Sequence, residues 1–175
     1  MSLRHRVTKL SLSIILLMNA TPADAASPAL RVTLDGRTIA ARTAGHWQCH
    51  DLDYPRIQCY RSRATLERAV HAYLARPGGT SGSTLAVDSG VAYVHVYENA
   101  GYLGASMYLS QDYADLGTIG WNDRITSFKV VNGGSGVFRW DAGPGGASYS
   151  FCCASQVSNI GSTWNDQISA VTGST

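Results

Sequence analysis

One period constrains this sequence more than any other feature. Val94-His95-Val96-Tyr97-Glu98-Asn99 is echoed by Val137-Phe138-Arg139-Trp140-Asp141-Ala142. Trp121-Asn122-Asp123-Arg124-Ile125-Thr126-Ser127 is echoed by Trp164-Asn165-Asp166-Gln167-Ile168-Ser169-Ala170, and both pairs sit at an offset of 43 residues. Gly104-Ala105-Ser106 matches Gly146-Ala147-Ser148 at an offset of 42, so the second unit loses one residue and later regains it. Two independent anchors at one spacing mark an internal duplication. Each unit alternates short β-type runs with Gly, Ser and Asn turns. Val91 to Tyr97, Ser106 to Leu109 and Ile125 to Val131 read as strands of the first unit; Val137 to Trp140, Ala147 to Cys152 and Ile168 to Val171 read as strands of the second. About four short strands per unit suit a Greek key, and two keys suit a sandwich. Neither unit alone buries enough apolar area to be stable, but two packed together do.

The rest of the chain divides around this repeat. Arg4, Arg6 and Lys9, the apolar run from Leu10 to Met18, and Ala23-Asp24-Ala25 have the order of a secretory signal, with cleavage after Ala25. The apolar run is about half the roughly 20 residues a membrane helix needs. Residues 26–76 form an N-terminal extension with β-type stretches at Leu30 to Leu34 and from Cys49 to Tyr60. Its helix is predicted over Thr65 to Ala75, with Leu66, Ala69, Val70, Tyr73 and Leu74 on one face. Residues 77–90 are rich in Gly, Ser and Thr and read as a linker. The duplicated domain covers 91–175, with motif one at 91–133 and motif two at 134–175. The expected architecture is mainly β: a two-motif sandwich preceded by a small α+β extension containing a disulfide.

Export sets the chemistry of the four cysteines. Outside the cell, disulfides are the default. Cys49 and Cys59 flank Asp53-Tyr54-Pro55-Arg56, a plausible reversal that brings them together. Cys152 and Cys153 are adjacent; in a strand they point to opposite faces, so their pairing stays open. Zinc held by Cys49, Cys59, His46 and His50 is the competing reading, but neither pair has finger-like spacing.

Charge narrows the partners. Without the signal, basic and acidic residues balance, which leaves no basic stripe for nucleic acid and no polybasic membrane patch. Residues 26–90 hold eight arginines against five acids, whereas 91–175 hold three basic residues against six acids. The duplicated half is the one that welcomes a cation.

At this point the residues resemble the βγ-crystallin family. Its aromatic corner, aromatic-x-x-x-x-aromatic-x-Gly, is met by Tyr97, Tyr102 and Gly104; motif two keeps Trp140, lacks the second aromatic and has Gly146 one place early. The microbial calcium-binding members carry Asn/Asp-Asn/Asp-x-x-Ser/Thr-Ser. Asn122 to Ser127 meets every position, and Asn165 to Ala170 misses only the final Ser. The resemblance implies calcium. Asp123, Arg124 (by its carbonyl) and Thr126 would form one site, completed by a carbonyl at Asp141. Asp166, Gln167 and Ser169 would form another, completed at Glu98. A carboxylate, a hydroxyl and backbone carbonyls are the hard oxygens calcium takes, and so few carboxylates place affinity near roughly 10⁻⁴ to 10⁻³ M. Asn122 and Asn165 are expected to brace the loops, and Ala170 to weaken the second site.

No Gly-x-Ser-x-Gly elbow, no His-Glu-x-x-His and no phosphate-cradling loop is present, so an enzyme is not expected. The expected role is a calcium-stabilised extracellular structural or binding module. Two alternatives are an inhibitor of extracellular metalloproteinases, presenting Asp141 to Gly146 or Asp51 to Arg56, and a binder of polysaccharide or cell envelope. Tyr97, Trp121, Trp140 and Trp164 read as core and corner residues rather than a sugar platform, and His95 as a strand residue of open role.

Overall fold

The computed structural model describes residues 29–76 and 93–174. The expected signal and linker fall outside them. Within them the chain is mainly β. The N-terminal extension contributes β1 (Arg31–Leu34), β2 (Arg37–Ile39), a 3₁₀ turn (Ala41–His46), β3 (Gln48–Asp53), β4 (Arg56–Tyr60) and the helix α1 (Arg63–Leu74). The first repeat contributes β5 (Val94–Asn99), β6 (Leu103–Leu109), a second 3₁₀ turn (Leu116–Ile119) and β7 (Ser127–Val130). The second contributes β8 (Ser135–Arg139), β9 (Ser148–Cys152), β10 (Gln156–Val157) and β11 (Ala170–Ser174).

The strands form an eight-stranded sheet, β10-β7-β5-β6-β3-β4-β1-β2, and a three-stranded sheet, β11-β8-β9. Each repeat donates its hairpin and last strand to one sheet and a short third segment to the other. β10 of the second repeat pairs antiparallel with β7 of the first, and Tyr113 of the first bridges to Val171 of the second. The apolar side of this arrangement is one core in which Val94, Val96, Met107, Leu109, Trp121, Ile125, Phe128, Phe138 and Ile168 are fully buried. Phe128 meets Phe138 edge to face at 5.2 Å between ring centres, a favoured aromatic geometry.

The extension continues the larger sheet. β3 runs parallel to β6, with Gln48, Cys49 and His50 opposite Ser106, Met107 and Tyr108. The Cys49–Cys59 disulfide closes the β3–β4 hairpin between directly opposed residues, as the spacing predicts. Asp35-Gly36, both at positive φ, makes the two-residue turn from β1 into β2 that the sequence reading did not place.

Helix α1 starts where Ser62 accepts a hydrogen bond from the Thr65 amide, a cap worth about 1 kcal/mol. It runs from Arg63, two residues earlier than predicted. Leu66, Val70 and Tyr73 are buried, but Leu74, placed on the same face by periodicity, is 47% exposed because the helix ends there. The buried face packs with Leu52, Tyr60 and Tyr108 on the side of the sheet away from the main core. That explains why β5 is buried on both faces and why His95, only 2% exposed, is no surface residue.

Candidate functional site

Each Asn-Asp turn precedes a strand, and the two turns are built alike. Asp123 and Asp166 both sit in the left-handed region at φ 54, a conformation that Asp tolerates better than most side chains. In each, the preceding asparagine donates to the aspartate: Asn122 Nδ2 to Asp123 Oδ2 at 2.6 Å, and Asn165 Nδ2 to Asp166 Oδ2 at 2.8 Å. The asparagines therefore brace the loops, as expected.

The other carboxylate oxygens reach across the repeat. Ser169 Oγ donates to Asp123 Oδ1 at 3.3 Å, and Thr126 Oγ1 donates to Asp166 Oδ1 at 3.5 Å. The sequence grouping put each hydroxyl with the carboxylate of its own loop; the hydrogen bonds pair it with the other loop. Backbone pairing accounts for the exchange. Thr126 and Ser169 are already in register with their own first strands, their amides donating to the Tyr97 and Arg139 carbonyls. The Asp123 amide meanwhile donates to the Ile168 carbonyl, laying the first turn against the second unit. Both cross-unit contacts are long beside the roughly 2.5–2.7 Å usual for a hydroxyl on a carboxylate.

An open cleft of about 760 Å³ brings Glu98, Asp123, Arg124, Thr126, Asn165 and Asp166 together. Asp141, Gln167 and Ser169 do not line it. The Gln167 side chain accepts from Trp140 Nε1 at 2.5 Å, and the Glu98 carboxylate is bonded to Arg124 Nη2 and to the Ala105 amide. A Cβ on Gly146 would lie 2.6 Å from Asp141 Oδ2, so that carboxylate is folded over its own hairpin. Among the described residues, no three His, Cys, Asp or Glu side chains form a metal-holding group.

The hairpins differ as the motifs do. Tyr97 and Tyr102 meet edge to face at 5.4 Å, and Gly104 turns at φ 76. Ser127 Oγ donates to the Asn99 carbonyl at 2.6 Å and accepts from the Tyr102 amide at 3.1 Å. Ala170 has no hydroxyl for the second hairpin. Trp140, with no second aromatic in its hairpin, instead packs on Trp164 at 5.6 Å and is 36% exposed.

The remaining candidates are placed as follows. Cys152 and Cys153 are bonded to each other: β9 ends at Cys152, and Cys153 and Ala154 turn at φ 69 and 100, so the opposed-face geometry of a continuous strand does not apply. Asp51 and Leu52 are buried, which removes two of the six residues of the proposed Asp51 to Arg56 loop from the surface, whereas Asp141 and Ala142 are exposed. His95 Nδ1 bonds the Tyr97 hydroxyl at 2.8 Å, and its ring stacks on Tyr108 at 3.6 Å.

Sequence reasoning missed Asp51. Its carboxylate is fully buried, accepts from the Ser110 amide and the Tyr113 hydroxyl, and is pushed up to about 7 by burial against those hydrogen bonds. No motif marks it, because its partners lie about 60 residues away.

The C-terminal half of the chain is βγ-crystallin-like. A βγ-crystallin domain from Flavobacterium johnsoniae is 32% identical, covering 47% of this chain and 93% of that one at a TM-score of 0.42. A Ciona intestinalis βγ-crystallin is 29% identical over 46% of this chain and 98% of that one, also at 0.42. An archaeal βγ-crystallin is 28% identical over 46% and 95%, at 0.41. No family model and no curated protein matches the chain. Among the described residues, no helix is long and apolar enough to cross a membrane.

Proposed function

We propose that this chain is a secreted calcium-binding βγ-crystallin-like protein, a calcium-stabilised extracellular structural or binding module. The observation that carries the reading is the reciprocal pairing of Asp123 with Ser169 and of Asp166 with Thr126. Two carboxylates are fixed by neighbouring asparagines, and each directs its other oxygen to a hydroxyl of the opposite unit at a distance too long for a strong hydrogen bond.

The donor set fits calcium. It consists of hard oxygens, and calcium accepts carboxylate, hydroxyl, carbonyl and water together. Asp123 with Ser169, and Asp166 with Thr126, would supply the side-chain oxygens; Arg124 and Gln167 would add backbone carbonyls. Glu98 and Asp141 would contribute through their carbonyls, since both carboxylates are turned to their own hairpins. Arg124 sends its guanidinium to Glu98, which neutralises it beside the cleft. Calcium, when bound, supplies the positive charge that ties loops of the two units together. The carboxylates and hydroxyls are held near one another beforehand, so less ordering opposes binding.

Calorimetric titration of calcium into the chelator-stripped chain tests the proposal. Two binding events are expected, one lost in Asp123→Ala and the other in Asp166→Ala. Absence of heat up to several millimolar calcium contradicts it and leaves the loops as ordinary turns.

A further inference from the structure

The two Asn-Asp loops share the left-handed Asp and the Asn-to-Asp hydrogen bond, yet their surroundings differ. Behind the first loop lies the 3₁₀ turn of the N-terminal extension. This turn packs on the second 3₁₀ turn, Leu116–Ile119, which ends at Gly120 in the left-handed region at φ 74. Gly120 is followed directly by Trp121, Asn122 and Asp123.

The fit is backbone to backbone. A Cβ on Gly45 would lie 2.0 Å from the Gly120 carbonyl oxygen and 3.4 Å from Arg124 Nε. A Cβ on Gly120 would lie 2.0 Å from the Arg42 carbonyl oxygen. Neither position admits a side chain without displacing main chain, so two glycines set how closely the extension seats against the loop. Ala44 and Trp121, both fully buried, belong to the same apolar cluster.

The repeat supplies an internal comparison. At the 43-residue offset, Gly120 corresponds to Thr163, which is exposed, and the fully buried Trp121 corresponds to the half-buried Trp164. A threonine at that position excludes the close approach seen in the first unit.

We propose that the N-terminal extension is a positioning element for the cation site built on Asp123, presetting the 120–124 turn through the Gly45–Gly120 contact, which has no counterpart at the Asp166 loop, where Thr163 stands in place of the glycine. The inference rests on the calcium reading for its functional consequence, but its structural content stands without metal. The two sites then differ in affinity because one loop is ordered before the ion arrives, and the extension is part of the site though it supplies no ligand.

Amide hydrogen exchange on the full, metal-free chain separates the two claims. Amides of 121–125 are expected to exchange at least tenfold more slowly than those of 164–168. In Gly45→Ala, protection at 121–125 drops at least tenfold while 164–168 and β8 are unchanged. Should that variant fail to fold, Ala44→Gly loosens the same turn, and the same selective loss is expected. Equal exchange of the two loops in the unaltered chain, or a loss spread equally over both loops in the variant, overturns the proposal. Calcium titration of the same samples then reads function: the Asp123-dependent event weakens at least fivefold in the variant, and the Asp166-dependent event does not. An unchanged Asp123-dependent event overturns the positioning role, whereas no event in the unaltered chain counts against the calcium reading alone.

Discussion

Asp51 Oδ2 accepts a 2.9 Å hydrogen bond from the Tyr113 hydroxyl, and Oδ1 accepts one of 2.7 Å from the Ser110 amide. One carboxylate of the extension thus anchors the segment from which Tyr113 pairs with Val171 in the smaller sheet. It joins three parts of the fold, and burial raises it from an ordinary carboxylate value to about 7.

The sign of its pH effect follows. The folded state holds the Asp51 proton more tightly than the unfolded state, so this group's stabilising contribution is complete below about pH 4 and is lost as pH rises through about 7. Urea unfolding of Asp51→Asn at pH 5 and pH 8 is expected to show a smaller loss between those values than the unaltered chain. The window is worth on the order of a few kcal/mol at about 1.4 kcal/mol per pKa unit.

His50 acts in the opposite direction. Burial lowers it to about 4, with Asp53 raising and Arg76 lowering it to lesser degrees. Its contribution is present above about pH 6.5 and is lost as pH falls through about 4. His95, beside Arg63 and Lys129, is lowered as well, mainly by burial. His50→Phe retains a ring against Tyr60 and is expected to flatten the acid limb of a stability–pH profile. An acid limb identical to that of the unaltered chain would show that the imidazole takes no part in it.

Ser127 holds both the Asn99 carbonyl and the Tyr102 amide. Ser127→Ala leaves those groups without their partner in a partly buried hairpin, at a cost of about 1–3 kcal/mol. Denaturant midpoints read the loss. Exchange should rise at residues 99–104 and not at 141–146, which already lacks this hydroxyl.

The duplicated half was legible because its signals are local and occur twice. Alternating Val94, Val96 and Val137 mark strands, Asn-Asp before Thr126 or Ser169 marks turns, and Cys49 with Cys59 marks a hairpin. Exchange of the hydroxyls was not legible, since Thr126 and Asp123 lie three residues apart in sequence while Asp166 is 40 away. The parallel pairing of β3 with β6 has no local signature, and so the burial of His95 and Asp51 was out of reach. The Gly120/Thr163 mismatch was available in the sequence as a departure from the repeat.

The measurement that bears most directly on the central claim is thermal unfolding in calcium and in chelator. Binding to the folded state alone adds about 2.7 kcal/mol when free calcium reaches 100 times its dissociation constant. The unaltered chain is therefore expected to melt several degrees higher in 10 mM calcium than in chelator. Asp123→Ala and Asp166→Ala should each lose part of that shift, and the double variant should lose it all. A melting temperature indifferent to calcium, or a shift that survives the double variant, would contradict a cation bridging the two loops.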